Sequence, residues 1–161
     1  MKLYIMRHGQ AQIAAPSDSE RELTIQGQIE TDVMVKWLGN MAQSFDISFV
    51  SPYRRALQTF NIVSQELEMS VHHYCLNELT PESNPSSCAD ALLAYCAEHK
   101  ANKAIVVSHL PLVGLLVNDL CRDDFVPAFT TSSIACLEID LNVWQGTLLW
   151  HKTVDEVLMG G

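Results

Sequence analysis

Hydrophobic and polar positions along the chain follow two rhythms that take turns. Short apolar runs carry Val, Ile and aromatic residues: "KLYIMR", "DISFVS", "SVHHYCL", "KAIVVSH", "SSIACLEIDL" and "TLLWHKTV". Such runs predict strands, and several are apolar on both faces, as buried parallel strands require. Between most of them, apolar residues return every three or four positions, which predicts helices. After Thr24, a capping residue, Ile25, Ile29, Val33 and Trp37 recur, with Met34 and Leu38 widening the stripe before Gly39 and Asn40 end it. Ser51 and Pro52 predict the cap and first residue of a second helix, with Ala56, Phe60, Val63 and Leu67 on one face. "PSSCADALLAYCAEH" predicts a third helix. "PLVGLLVNDLC", apolar nearly all round, predicts a buried fourth. The last two strands pair as a hairpin across "NVWQG". Alternation of strand and helix predicts an α/β three-layer sandwich, its central sheet mainly parallel and flanked by helices, with the hairpin as an antiparallel edge.

Composition narrows this reading. At 161 residues and 48% apolar content, the chain (1–161) is expected to form a single domain with a full core. No repeat, linker or low-complexity stretch interrupts it. No apolar run approaches the roughly 18 residues of a membrane span, and the N-terminus enters a strand directly, so a cytoplasmic protein is expected. Five cysteines with no C-x-x-C pair predict reduced core thiols, not a disulfide framework or a zinc site. A formal charge of −9 disfavours nucleic acid and anionic membrane as partners.

In a parallel sheet, ligands bind beyond the carboxyl ends of the strands. Four predicted tips carry polar residues there: Arg7-His8, Ser51 followed by Arg54 and Arg55, Glu78 after the third strand, and Ser108-His109. Each alone has an ordinary explanation. A lone histidine is usually a satisfied core or turn residue, a glutamate like Glu78 is usually solvated, and paired arginines are usually surface charges. Arginines at a helix N-terminus even oppose the helix dipole, a placement that makes sense if an anion sits between them. Four such tips converging favour a functional site.

Together, "MRHGQ", "LTIQG", "VSPYRRALQT" and "VVSHLPLVG", in this order, resemble the histidine phosphatase superfamily, whose fold is phosphoglycerate-mutase-like. "SDSERELT", "FTTSSIA" and the short length are similar to its SixA-type phosphohistidine phosphatases. The likeness covers nearly the whole chain, except the C-terminal "DEVLMGG". It implies His8 as the nucleophile, forming a phosphohistidine enzyme that water hydrolyses. It implies His109 as a second phosphate-contacting histidine, protonated in the complex, and Arg21 as a phosphate-pocket arginine, with a simple loop charge as the alternative. Position 55 matches the motif's arginine, which leaves Arg54 to the surface.

The chemistry agrees with these roles. Phosphoryl transfer needs positioning and neutralisation of three equatorial oxygens, and the planar forks of Arg7 and Arg55 suit that task without a metal or other cofactor. Nearby guanidiniums would lower the His8 pKa and keep a lone pair free, with the other ring nitrogen held by a backbone carbonyl near Gly9. The adjacent His72 and His73 face opposite sides of a strand and make a poor metal site.

The leaving group bears on the substrate. An alkoxide leaves as the conjugate base of an acid almost as weak as water, at roughly 15.7, and needs a general acid. Imidazole leaves from phosphohistidine with a conjugate acid near about 6.5. Glu78 matches the superfamily's acid only loosely, because "NELTPESN" lacks the usual glycine. The chain also lacks room for a capping insertion, and an uncapped site admits a side chain of another folded protein. The expected activity is therefore removal of phosphate from a phosphohistidine of a phosphorelay or phosphotransfer protein, by a monomer that also holds phosphate or another small oxyanion. The alternatives are a phosphomonoesterase of small esters with the same mechanism, or a noncatalytic phosphate-reading module.

Overall fold

The computed structural model describes residues 1–123 and 125–160. In chain order the elements are β1 (Lys2–Arg7), α1 (Ile25–Gly39), β2 (Ser44–Phe45), β3 (Ile47–Val50), α2 (Arg54–Glu66), β4 (Glu68–Met69), β5 (His73–Cys75), α3 (Pro85–Glu98), β6 (Lys103–Ser108), α4 (Leu112–Cys121), β7 (Ile134–Asp140), β8 (Gln145–Lys152) and α5 (Val154–Leu158). Six strands form the central sheet in the order β5-β3-β6-β1-β7-β8. The pairs β5–β3, β3–β6 and β6–β1 are parallel, whereas β7 and β8 run antiparallel as the C-terminal hairpin.

Alternation along β1 explains the layering. Leu3 and Ile5 pack with Leu92 of α3 and Leu112 and Leu116 of α4 in one core. Tyr4 and Met6 point the other way, into a core with Met34 and Leu38 of α1, Val63 of α2 and Val154 of α5. The sheet is therefore covered on both faces, the architecture that its apolar strands require.

Three local expectations are corrected. The second helix begins at Arg54, with Tyr53 as its cap, and not at Ser51 and Pro52. The run at 70–76 contributes only the edge strand β5, while Glu68–Met69 pairs in parallel with Ser44–Phe45 in a separate two-stranded sheet. On α1 the buried face is Gly27, Thr31, Met34, Val35 and Leu38, whereas Ile25 and Ile29 are exposed. The cause is close packing at the N-terminal half of this helix. A Cβ on Gly27 would lie 2.1 Å from the carbonyl oxygen of Gln10, so only glycine lets α1 approach the loop after β1. The inward positions there are small or polar because they rest on backbone.

Candidate active site

The sheet order makes β3, β6 and β1 neighbours, and their parallel registers bring the three tips level. Val50 stands opposite Val107, and Arg7 opposite Ser108. The ladder continues one residue past the strands: the His8 N–H donates to Ser108 O (2.9 Å) and the Ser51 N–H to Val107 O (3.1 Å). His8, Ser51 and His109 are thereby seated side by side, 43 to 101 positions apart in sequence though they are. The His8 and His109 ring centroids lie 5.0 Å apart.

His8 is held as one tautomer. Its Nδ1–H donates to Gly9 O at 2.7 Å, and its Nε2 receives the Nε–H of Arg55 at 3.2 Å. The first bond requires hydrogen on Nδ1 and the second requires a lone pair on Nε2. Gly9 is itself fixed, because its N–H donates to Thr59 Oγ1 (3.0 Å) and Thr59 donates to Arg55 O (2.8 Å). The His8 carbonyl accepts from the Ser132 N–H at 3.1 Å. Ser132 is buried at a φ of 62°, and its Oγ meets Thr31 Oγ1 at 2.8 Å. A strained, non-glycine backbone at this place belongs to the support of the His8 loop.

Burial pulls the His8 ring down to about 4. The Gly9 bond opposes this shift, while Arg55, Arg7 and Arg21 add to it. Guanidinium charge alone was the expected cause; loss of water is the larger one. His109 is drawn down further, to about 2, by burial and then by His8 and Arg55. Both rings are therefore neutral at pH 7.

Cations gather around these rings. Arg55 is almost fully buried, its Nη1 donating to Asp18 O (2.6 Å) and its Nη2 to Asp18 Oδ2 (3.2 Å). Arg21 meets the same carboxylate at 3.0 Å and donates from Nε to Gln12 O at 2.7 Å. Arg7 donates from Nη1 to Phe129 O at 2.9 Å, but its buried Nε has no partner among the described residues. The Nδ1 of His109 is likewise buried and unpaired. The unpaired Arg7 Nε–H is a buried donor beside guanidiniums that a bound oxyanion would satisfy. Asp18 now lends the cluster its negative charge. Although partial desolvation raises the Asp18 pKa, hydrogen bonds from Arg21 and Arg55 outweigh it and hold this carboxyl below its usual range.

The sequence-predicted residues thus divide. Arg7, His8, Arg21, Arg55 and His109 come together. Arg54 is half exposed and pairs with Glu22 at 3.4 Å, as a surface charge does. Glu78 is exposed on a single 3₁₀ turn, lines a shallow surface cavity with Asn77, Ser83, Asn84 and Ser87, and makes no hydrogen bond or ion pair to the cluster among the described residues. The rings of His72 and His73 diverge, one lying tilted against His99 at 4.0 Å and the other stacking on Phe60 at 4.4 Å. Sequence reasoning missed Asp18, Thr59, Thr31 and Ser132, and misread Ser51 as a helix cap. "SDSERELT" and "FTTSSIA" hold two of these, but nothing in their spacing marks which side chain turns inward.

The chain belongs to the histidine phosphatase superfamily; the sequence model of branch 1 matches residues 3–80. It is 40% identical over 153 residues to the phosphohistidine phosphatase SixA of Escherichia coli K12, covering 95% of this chain and 94% of that one. A SixA homolog of Haemophilus influenzae is 32% identical over 166 residues, covering 99% and 94%. Among solved structures, a protein histidine phosphatase SixA complexed with tungstate superposes with a TM-score of 0.92 at 38% identity, over 98% of this chain and 99% of that one. Such coverage accounts for the fold as a whole, C-terminal hairpin included.

Proposed function

We propose that this protein is a phosphohistidine phosphatase that removes phosphate from a histidine side chain of a phosphotransfer or phosphorelay protein. The observation that carries this reading is the His8 ring: neutral, with Nδ1–H tied to Gly9 O and the Nε2 lone pair among arginines. In the first step Nε2 forms a bond to phosphorus as the bond from phosphorus to the substrate imidazole breaks. That imidazole takes a proton from solvent as it departs. In the second step water attacks phosphorus, His8 leaves, and phosphate carries away the oxygen. Arg7, Arg55, Arg21 and His109 bind the three equatorial oxygens. Arg55 and Arg21 let go of Asp18 as phosphate arrives, because both cannot occupy the same donors.

The leaving group favours phosphohistidine over an ester. Asp18, the carboxylate held at the cluster, is kept ionised by two guanidiniums and has no proton to give an alkoxide. Glu78 makes no hydrogen bond or ion pair there among the described residues. An imidazole leaving group with a pKa of about 6.5 needs no such donor. Among the described residues no helix is long and apolar enough to cross a membrane, and all five cysteines are free thiols, which fits a reducing, cytoplasmic setting.

The test is a side-by-side assay of the protein on a phosphohistidine-bearing phosphotransfer domain, a phosphoserine peptide and a simple aryl phosphate. The reading predicts kcat/KM on the phosphohistidine protein at least about 10²-fold above that on the esters. Faster turnover of the esters would assign the protein to small phosphomonoesters instead. Tungstate binding with no turnover of any substrate would make it a phosphate-reading module.

A further inference from the structure

Ser51 offers a hydroxyl whose single hydrogen has to be accounted for. Its backbone N–H is pinned to Val107 O at 3.1 Å, and its side chain, fully buried, turns inward to lie 2.7 Å from His109 Nε2. The other bond to this oxygen comes from the Tyr53 N–H at 3.3 Å, so there Ser51 Oγ is the acceptor. Two arrangements are possible on the His109 side. If Nε2–H donated to Oγ, the serine hydrogen would be left buried without an acceptor among the described residues, an unfavourable state for any hydroxyl. If Oγ–H donates to Nε2, the serine hydroxyl and Nε2 are both satisfied, the ring hydrogen sits on Nδ1, and the Nδ1–H is left as the one donor awaiting an acceptor. That Nδ1 is the atom found buried and unpaired, on a ring 5.0 Å from His8. Tyr53 packs its ring against His109 at 5.1 Å in a T-shaped contact.

We propose that Ser51 is a positioning residue that fixes His109 as its Nδ1–H tautomer, so that a neutral imidazole donates a hydrogen bond to a phosphoryl oxygen. This rests on reading the cluster as the phosphate site. It replaces the sequence-based expectation of a protonated His109. It also explains why a serine occupies this strand tip although no helix begins there. The low pKa of His109 is consistent with it, since a buried ring flanked by Arg55 and Arg7 resists a second proton. A neutral donor has a mechanistic advantage: it stabilises charge on the transferring group without holding the product phosphate as an imidazolium would.

The test is ¹⁵N NMR of the histidine-labelled wild-type protein, free and with tungstate. The proposal predicts a pyrrole-type signal for His109 Nδ1 and a pyridine-type signal for Nε2 in both. A pyrrole-type Nε2 or a fully charged ring would overturn it. The Ser51→Ala protein should show mixed tautomers and about 10-fold weaker tungstate binding; an unchanged tautomer would remove Ser51 from the role. Two further variants decide the matter even if Ser51→Ala does not fold. Asparagine places an amide N–H where Nδ1 lies, and glutamine where Nε2 lies. His109→Asn should therefore bind tungstate about 10-fold better than His109→Gln, and the reverse order would refute the assignment. Because the tautomer is read in the free protein, failure to hydrolyse phosphohistidine would count against the proposed function and leave this inference standing.

Discussion

At the residue scale, the site works by withholding protons. His8 has its ordinary value of about 6.5 lowered to about 4 in the folded chain. The acid limb of kcat/KM should therefore fall near pH 4, and activity at pH 5.5 should stay within about twofold of that at pH 7. An acid limb near pH 6.5 would mean an unperturbed ring. The same shift carries a stability consequence. Between pH 6.5 and 4 the unfolded chain takes up a proton that folded His8 refuses, so stability falls with pH across this window and is fully present above it. The size is about 3 kcal/mol for His8, with His109 adding in the same direction. Chemical denaturation at pH 7 and pH 4.5 measures it. Arg55 makes four contacts, to His8, to Asp18 twice and to the Tyr53 ring, that depend on its planar fork. Arg55→Lys keeps the charge and loses the fork, and kcat should drop by roughly 10²- to 10³-fold; a drop below about fivefold would mean that charge alone suffices.

At the element scale, the helices show what the sequence pattern can and cannot reveal. The stripe on α1 was legible from Met34 to Leu38, where the helix meets strand side chains. It was not legible at Ile25 and Ile29, because the facing surface is the backbone of Gly9 and Gln10, which selects Gly27 and Thr31. Replacing the exposed Ile29 by Lys should change stability by no more than about 0.5 kcal/mol, whereas Met34→Ala should cost about 2–5 kcal/mol. Equal losses would restore the pattern-based face. The 3₁₀ turn at Asp18–Glu20 is the second such element. Its Asp18 occupies donors of Arg55 and Arg21 that, in the proposed function, an incoming anion would take. Asp18→Asn should tighten tungstate binding about fivefold, the equivalent of ~1 kcal/mol. Weaker binding would mean that Asp18 serves to hold the arginines in place.

At the scale of the whole molecule, the strand tips were readable because buried parallel strands are apolar on both faces and end abruptly in charge. Arg7-His8 and Ser108-His109 stand out for that reason, and neighbouring β1 and β6 put them together. The supporting residues were not readable. Ser51, Thr59 and Ser132 are small polar residues whose task depends on partners up to 101 positions away. A hydroxyl at a strand-to-helix junction looks the same whether it caps a helix or orients a ring. Glu78 is harder to read: it follows a strand tip in sequence, and its turn leaves it exposed, with no hydrogen bond or ion pair to the cluster among the described residues. Glu78→Gln should accordingly keep phosphohistidine turnover within about twofold, and a larger loss would bring Glu78 back into the site.

The proposed mechanism turns on a covalent bond between phosphorus and His8 Nε2. Rapid-quench mass spectrometry during turnover of a phosphohistidine-bearing phosphotransfer domain tests this most directly. The expected result is an acid-labile, base-stable phosphate on the peptide containing His8, formed and lost at rates that match turnover, and absent from His8→Ala. Turnover that proceeds with no phosphate on His8, or undiminished in His8→Ala, would contradict the mechanism.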